Sequence, residues 1–191
     1  FASLTAEERQ QVLERCRKHF VGMVISHISS CNTRDCRTLL DHARDHADAA
    51  LLLPPFYYAN IDEAGCTAFM REVLGHGTLP VYLYNFPEHT QCTIGPDMFR
   101  SLSKEFAHLA GIKDSGGNLQ VSQAYKEAAP GSQVFVGSDR WALDVLRRGL
   151  DGSVTGCGNP TPEFLVRLHS QWMAGDEETA ARTQQAFDVW T

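Results

Sequence analysis

The chain has 191 residues, 43% of them hydrophobic and 21% charged, with a formal net charge of -6. This is the composition of one ordinary globular domain with enough apolar residues for a sizeable core. No basic run interleaved with aromatics points to nucleic acid, and no apolar stretch approaches the roughly 18 residues that a membrane span needs.

Helix and strand signals alternate along the whole sequence. Thr5-Ala6-Glu7-Glu8 is a capping box that opens a helix to about Phe20, and the strand Met23 to His27 follows. Asn32 caps a helix to about His46, before the apolar run from Ala49 to Pro54. Asp62 opens a helix to about Leu74, and Leu79 to Tyr84 forms the third strand. A helix over Pro96 to Phe106 leads into a strand ending at Lys113, after which Asn118 caps a helix to Ala128. Val134 to Val136 is a short strand, followed by a helix from Arg140 to Arg148 and a strand from Gly152 to Thr155. Thr161, with Pro162 at the first helical position, starts a helix to Met173, and Asp176 starts another that runs to the chain end.

Six strands, each followed by a helix at a period of roughly 25 to 30 residues, imply a parallel sheet covered by helices. The regular period favours an α/β fold of the (β/α)8 TIM-barrel kind over a doubly wound sheet, and no GxGxxG follows the first strand. With six of eight strand-helix units, the barrel is expected to be incomplete: residues 1–160 supply a partial barrel and 161–191 helices packed on it. The first residue is Phe1 and not methionine, so the natural N-terminus is not expected to be in view.

The six cysteines, at 16, 31, 36, 66, 92 and 157, form no CxxC pair and read as small apolar residues or reduced thiols. His42 and His46 fall four apart on a helix, the spacing of a metal pair, but Asp41, Arg44 and Asp45 beside them mark a solvated face. Neither a metal nor a cofactor is expected.

In such a barrel the chemistry sits where strands end and loops begin. The run Leu109-Ala110-Gly111-Ile112-Lys113-Asp114-Ser115-Gly116-Gly117 puts one amine at the end of an apolar strand, before a glycine turn. Apolar walls disfavour the ammonium form and free the amine to attack a carbonyl, whereas a snorkelling lysine would reach water instead. The other strand ends offer His27, Pro54-Pro55-Phe56-Tyr57-Tyr58, Tyr84-Asn85, Gly137-Ser138-Asp139 and Thr155-Gly156. A lysine with tyrosines, hydroxyls and glycines makes a poor metal or acyl-transfer site and a good Schiff-base site.

The stretches Phe1 to Thr5 with Glu7-Glu8-Arg9, Pro55-Phe56-Tyr57, Leu83 to Pro87, Gly111 to Asp114, Gly137 to Asp139 and Gly152 to Asn159 carry a family resemblance. Together, and in this order, they resemble the dihydrodipicolinate synthase and N-acetylneuraminate lyase family of class I pyruvate-type aldolases. The resemblance implies that Lys113 is the Schiff-base lysine and Tyr84 the proton-relaying tyrosine. It implies that Tyr57 reaches across a tight dimer, and that Gly137 and Val154 line the bound 2-oxo acid. Its partners would be pyruvate or another 2-oxo acid and an aldehyde, in a cytoplasmic homodimer or homotetramer that binds neither nucleic acid nor membrane.

Three departures qualify this transfer. The family's Gly-Thr-Thr-Gly-Glu carboxylate motif and two strands would lie upstream of Phe1. His89 stands where dihydrodipicolinate synthases carry an arginine for the second substrate, and His27 stands where a glycine is usual. Phe86 and the run Gly156-Cys157-Gly158-Asn159 look more like 2-keto-3-deoxy sugar acid aldolases. The expected reaction is therefore carbon–carbon cleavage or formation between pyruvate and a sugar-derived aldehyde. The alternatives are dihydrodipicolinate synthase, with aspartate semialdehyde, and a non-catalytic barrel that binds a 2-oxo acid.

Overall fold

In the computed structural model, which describes residues 1–58 and 60–189, helices and strands alternate along the chain. In chain order they are α1 (Ala6–His19), β1 (Ile25–His27), α2 (Thr33–His46), β2 (Ala49–Leu52), α3 (Glu63–Leu74), β3 (Val81–Asn85) and the one-turn α4 (Pro87–Thr90). There follow α5 (Pro96–Glu105), β4 (Leu109–Asp114), α6 (Leu119–Ala128), β5 (Gln133–Val136), α7 (Ala142–Arg147), β6 (Gly152–Ser153), α8 (Pro162–Met173) and α9 (Glu177–Asp188).

The helix starts follow from local chemistry. Thr5 accepts from the Glu8 N–H while the Glu8 carboxylate accepts from the Thr5 N–H, closing the capping box. Asn32, Asp62, Asn118 and Asp176 each take one orphan N–H of the first turn of α2, α3, α6 and α9. Thr161 does not cap α8; its hydroxyl donates to the Cys157 carbonyl, and Pro162 fills the first helical position.

All six strands are parallel and pair in sequence order, β1-β2-β3-β4-β5-β6. They form a curled half-barrel sheet, the architecture of a partial TIM barrel. Strands at both ends are shorter than expected: β1 begins at Ile25 and not at Met23, and β6 spans only Gly152–Ser153. Among the described residues β1 and β6 each pair on one side only, so neither is extended by a second ladder.

Alternation along the strands separates two faces. Ala50, Leu52, Val81, Leu83, Ile112, Val134 and Val136 point outward and build the main core with Cys36, Cys66, Met70, Phe99, Leu102 and Tyr125. Three cysteines, Cys36, Cys66 and Cys92, are buried in it, as their small apolar character predicts. A second, smaller core joins α7, α8 and α9 through Ala142, Leu143, Leu168 and Ala180. The inner face carries His27, Leu51, Tyr82, Tyr84, Gly111, Lys113 and Phe135, set side by side by the strand register. Gly111 fits only as glycine, since a Cβ there would lie 2.0 Å from the Gln133 carbonyl oxygen.

Candidate active site

The register of the central strands sets the site. Tyr84 pairs with Lys113 across β3 and β4, and Lys113 pairs with Phe135 across β4 and β5. Register partners share a face, so the amine and the phenol emerge together at the carboxyl end of the sheet. The Lys113 Nζ lies 4.1 Å from the centre of the Tyr84 ring. Lys113 is partly buried, and Tyr84 is 9% exposed.

Gly137, just past β5, makes room for them. A Cβ at this position would lie 2.0 Å from Ser115 Oγ and 3.4 Å from Lys113 Cε. The Gly137 N–H donates to the Asp114 carbonyl over 2.8 Å, which fixes the close approach. Ser115 Oγ in turn stands 3.5 Å from the Tyr84 hydroxyl, the outer limit of a hydrogen bond. Neither the spacing nor the resemblance had singled out Ser115, whose sole signal is its place two residues after the lysine.

A chain of rings runs through the site. Tyr84 stacks on Phe86 at 5.4 Å, and His89 meets the Phe86 ring edge-on at 4.2 Å. On the other side His27 faces Tyr84 at 6.2 Å and stacks on Phe1 at 3.9 Å. Both His27 ring nitrogens are buried without a hydrogen-bond partner among the described residues. Burial pushes the imidazole down to about 3, and the charges of Arg9 and Lys113 act in the same direction. His27 is therefore a neutral ring on the wall of the site. Arg9 from α1 holds the end of β1 by donating to the His27 and Ser29 carbonyls.

Behind the inner face lies a buried polar lock that sequence reasoning missed. The Asp114 carboxylate accepts from Asn85 Nδ2 at 2.8 Å, Ser122 Oγ at 2.6 Å and the Gly116 N–H at 2.9 Å. The Asn85 side-chain oxygen takes the Ile94 N–H at 3.0 Å, and its backbone carbonyl takes the Ser115 N–H at 2.8 Å. Asp114, Asn85 and Ser122 are each 1% exposed. The lock therefore joins the ends of β3 and β4 to the start of α6, one residue away from both Tyr84 and Lys113.

Three predicted site residues stand farther out. Val154 follows β6 and donates its N–H to the Val136 carbonyl at 3.1 Å, beside Gly137, and is exposed. Tyr57 is 81% exposed and its ring packs edge-on against Tyr58, apart from the Lys113 and Tyr84 cluster. His89 is exposed and touches the cluster through Phe86.

The arrangement offers an amine and a phenol beside a glycine turn on one strand-end surface. Known proteins resemble the chain in sequence and fold. The chain is 30% identical over 183 residues to the 4-hydroxy-tetrahydrodipicolinate synthase of Methanopyrus kandleri, covering 94% of this chain and 61% of that protein. It is 31% identical over 166 residues to a 2-dehydro-3-deoxy-D-gluconate/2-dehydro-3-deoxy-phosphogluconate aldolase of Thermoproteus tenax, covering 86% of this chain and 53% of that one. The crystal structure of YagE from Escherichia coli in complex with pyruvate superposes with a TM-score of 0.92 at 29% identity, over 98% of this chain and 65% of that one. The chain thus spans less than two thirds of the length of these relatives. The sequence profile of the Dihydrodipicolinate synthetase family matches residues 1–188, and the chain belongs to that family.

Proposed function

We propose that the protein is a class I aldolase that joins or separates pyruvate and an aldehyde through an imine on Lys113. The observation that carries this reading is the amine standing over the Tyr84 ring beside a glycine that leaves space at its Cε. In the cleavage direction the Lys113 amine adds to the ketone of a 2-oxo acid, and loss of water gives the iminium. Removal of the proton from the substrate's hydroxyl lets the carbon–carbon bond break. The aldehyde then leaves and the electron pair rests in an enamine. Tyr84 moves the protons in these steps. Protonation of the enamine carbon and addition of water release pyruvate and restore the amine.

The substrate class we favour is a 2-keto-3-deoxy sugar acid. Phe86 and His89 form the wall beyond Tyr84, and neither supplies the bidentate fork with which arginine holds a carboxylate. Similarity to the Thermoproteus tenax aldolase supports the same choice. Similarity to the Methanopyrus kandleri synthase favours the second reading, condensation with aspartate semialdehyde. In the first reading Gly137 and Val154 line the 2-oxo acid, and His27 caps the pocket opposite Phe86. Two further strands and a carboxylate-binding turn preceding β1 complete the barrel. The exposed Tyr57 serves a cytoplasmic homodimer or homotetramer by entering the neighbouring site. Of residues 161–191, those described, up to residue 189, form the helical layer packed on the barrel.

Borohydride trapping tests the reading. Incubation with pyruvate and borohydride is expected to add one reduced pyruvate to the peptide that contains Lys113. Labelling of another lysine, or of none, overturns it. A clear preference for aspartate semialdehyde over sugar-derived aldehydes in the condensation direction would promote the second reading.

A further inference from the structure

Away from the strand ends, α1 packs beside α2 and brings Glu14 to the two histidines that share a face of α2. One ligand atom each from Glu14, His42 and His46 falls within 4.8 Å of the other two. The His42 and His46 rings lie side by side, 4.5 Å between centres, as residues four apart on a helix do. His42 Nε2 and Glu14 Oε1 are 2.9 Å apart. Both imidazoles are partly buried, so the solvated face expected from Asp41, Arg44 and Asp45 does not extend over them.

We propose that Glu14, His42 and His46 form a site for a divalent transition-metal ion of the zinc type, clamping α1 to α2. Two imidazoles and one carboxylate are a borderline donor set that suits zinc, with water completing a tetrahedron. Donors around a tetrahedral zinc stand about 3.3 Å apart. The His42–Glu14 pair needs to open slightly and His46 to close in, both by side-chain rotation on fixed helices. The backbone is already held there: Arg17 donates to the His46 carbonyl at 3.1 Å and to the Asp48 carboxylate, which also offsets its charge next to the site. Ligation through Nε2 puts the His42 proton on Nδ1, a nitrogen with no partner among the described residues in either tautomer, so no hydrogen bond is lost there. The site stands independently of the aldolase reading, because none of its residues belongs to the Lys113 cluster.

Titration of the metal-free purified protein with zinc, followed by calorimetry and by thermal unfolding, tests the proposal. One equivalent is expected to bind saturably and raise the unfolding midpoint. His46→Ala and Glu14→Gln, both at partly or fully exposed positions, are expected to weaken binding by about tenfold or more and to abolish the midpoint shift. Cobalt substitution is expected to give visible bands without thiolate-to-metal charge transfer. Absence of saturable binding, equal affinity in either folded variant, or a thiolate band that marks a cysteine site would overturn it.

Discussion

The Lys113 Nζ stands over the face of the Tyr84 ring, 4.1 Å from its centre, and adjacent parallel strands hold the two in register. A ring face attracts a cation by about 0.5 to 2 kcal/mol, so the ring and the hydroxyl of Tyr84 act on the amine in different ways. The ring packs against the amine, and under the proposed mechanism the hydroxyl is the group that moves protons.

Substitutions separate these two contributions. Tyr84→Phe keeps the ring and its stacking on Phe86, and is expected to lower turnover by about 10² to 10⁴ while pyruvate trapping at Lys113 persists. Tyr84→Leu removes both and is expected to alter trapping as well. Steady-state turnover and the rate of borohydride trapping are the two measurements. Unchanged turnover in Tyr84→Phe would remove the proton-relay role.

Gly137→Ala inserts a methyl group where Ser115 Oγ now lies, at 2.0 Å, and against Lys113 Cε at 3.4 Å. The serine hydroxyl has to swing away from the Tyr84 hydroxyl, and the lysine loses its slack. Turnover is expected to fall by about ten- to a hundredfold with little change in the thermal midpoint. Adding Ser115→Ala opens the space again, so the double variant is expected to recover part of that loss. A double-variant cycle on turnover checks the coupling.

Asp114→Ala leaves the Asn85 amide, the Ser122 hydroxyl and the Gly116 N–H without their shared acceptor in the interior. Hydrogen bonds to a buried charge contribute more than neutral ones, and unmet donors cost more still. A destabilisation of about 3 kcal/mol or more is expected in denaturant unfolding. A change below about 1 kcal/mol would show that the lock is not a mainstay of the strand ends.

His27 makes stability depend on acidity. The unfolded imidazole takes up a proton near 6.5 and the folded one only near about 3. The unfolded chain therefore binds the extra proton between these values, and stability is complete above about 6.5 and falls as the pH drops toward 3. The slope from this residue reaches about 1.4 kcal/mol per pH unit. His27→Leu is expected to flatten that part of the profile in unfolding measured between pH 7 and pH 5. An unchanged slope would show that the ring is solvated.

Strand order, helix caps and the pairing of Lys113 with Tyr84 follow from short-range signals: apolar runs, Thr5 with Glu8, and a lysine before a glycine turn. The lock was hidden because Asn85 and Asp114 lie on the outer face, where period-two reasoning expects apolar side chains. Their partners Ser122 and Ile94 come from other elements. The one-turn helix at Pro87 was hidden too, since four residues carry no periodicity. Glu14 could not be joined to His42 and His46 from spacing, because the docking of α1 on α2 brings them together. The short β1 reflects the same limit: Met23 is apolar, but it is exposed and unpaired with β2, so hydrophobicity overstated the strand.

Along β3 and β4, inward-facing groups and fastening groups take alternate places: Tyr84 then Asn85, Lys113 then Asp114. Neighbours in sequence thus serve opposite sides of one sheet. Substitutions can accumulate on the inner side while the frame on the helix side stays intact. Deleting a single residue between Leu109 and Lys113 would have the reverse effect, turning the amine toward the helices and the carboxylate into the cleft. The fold therefore tolerates exchange of side chains in this strand far better than any change in its length.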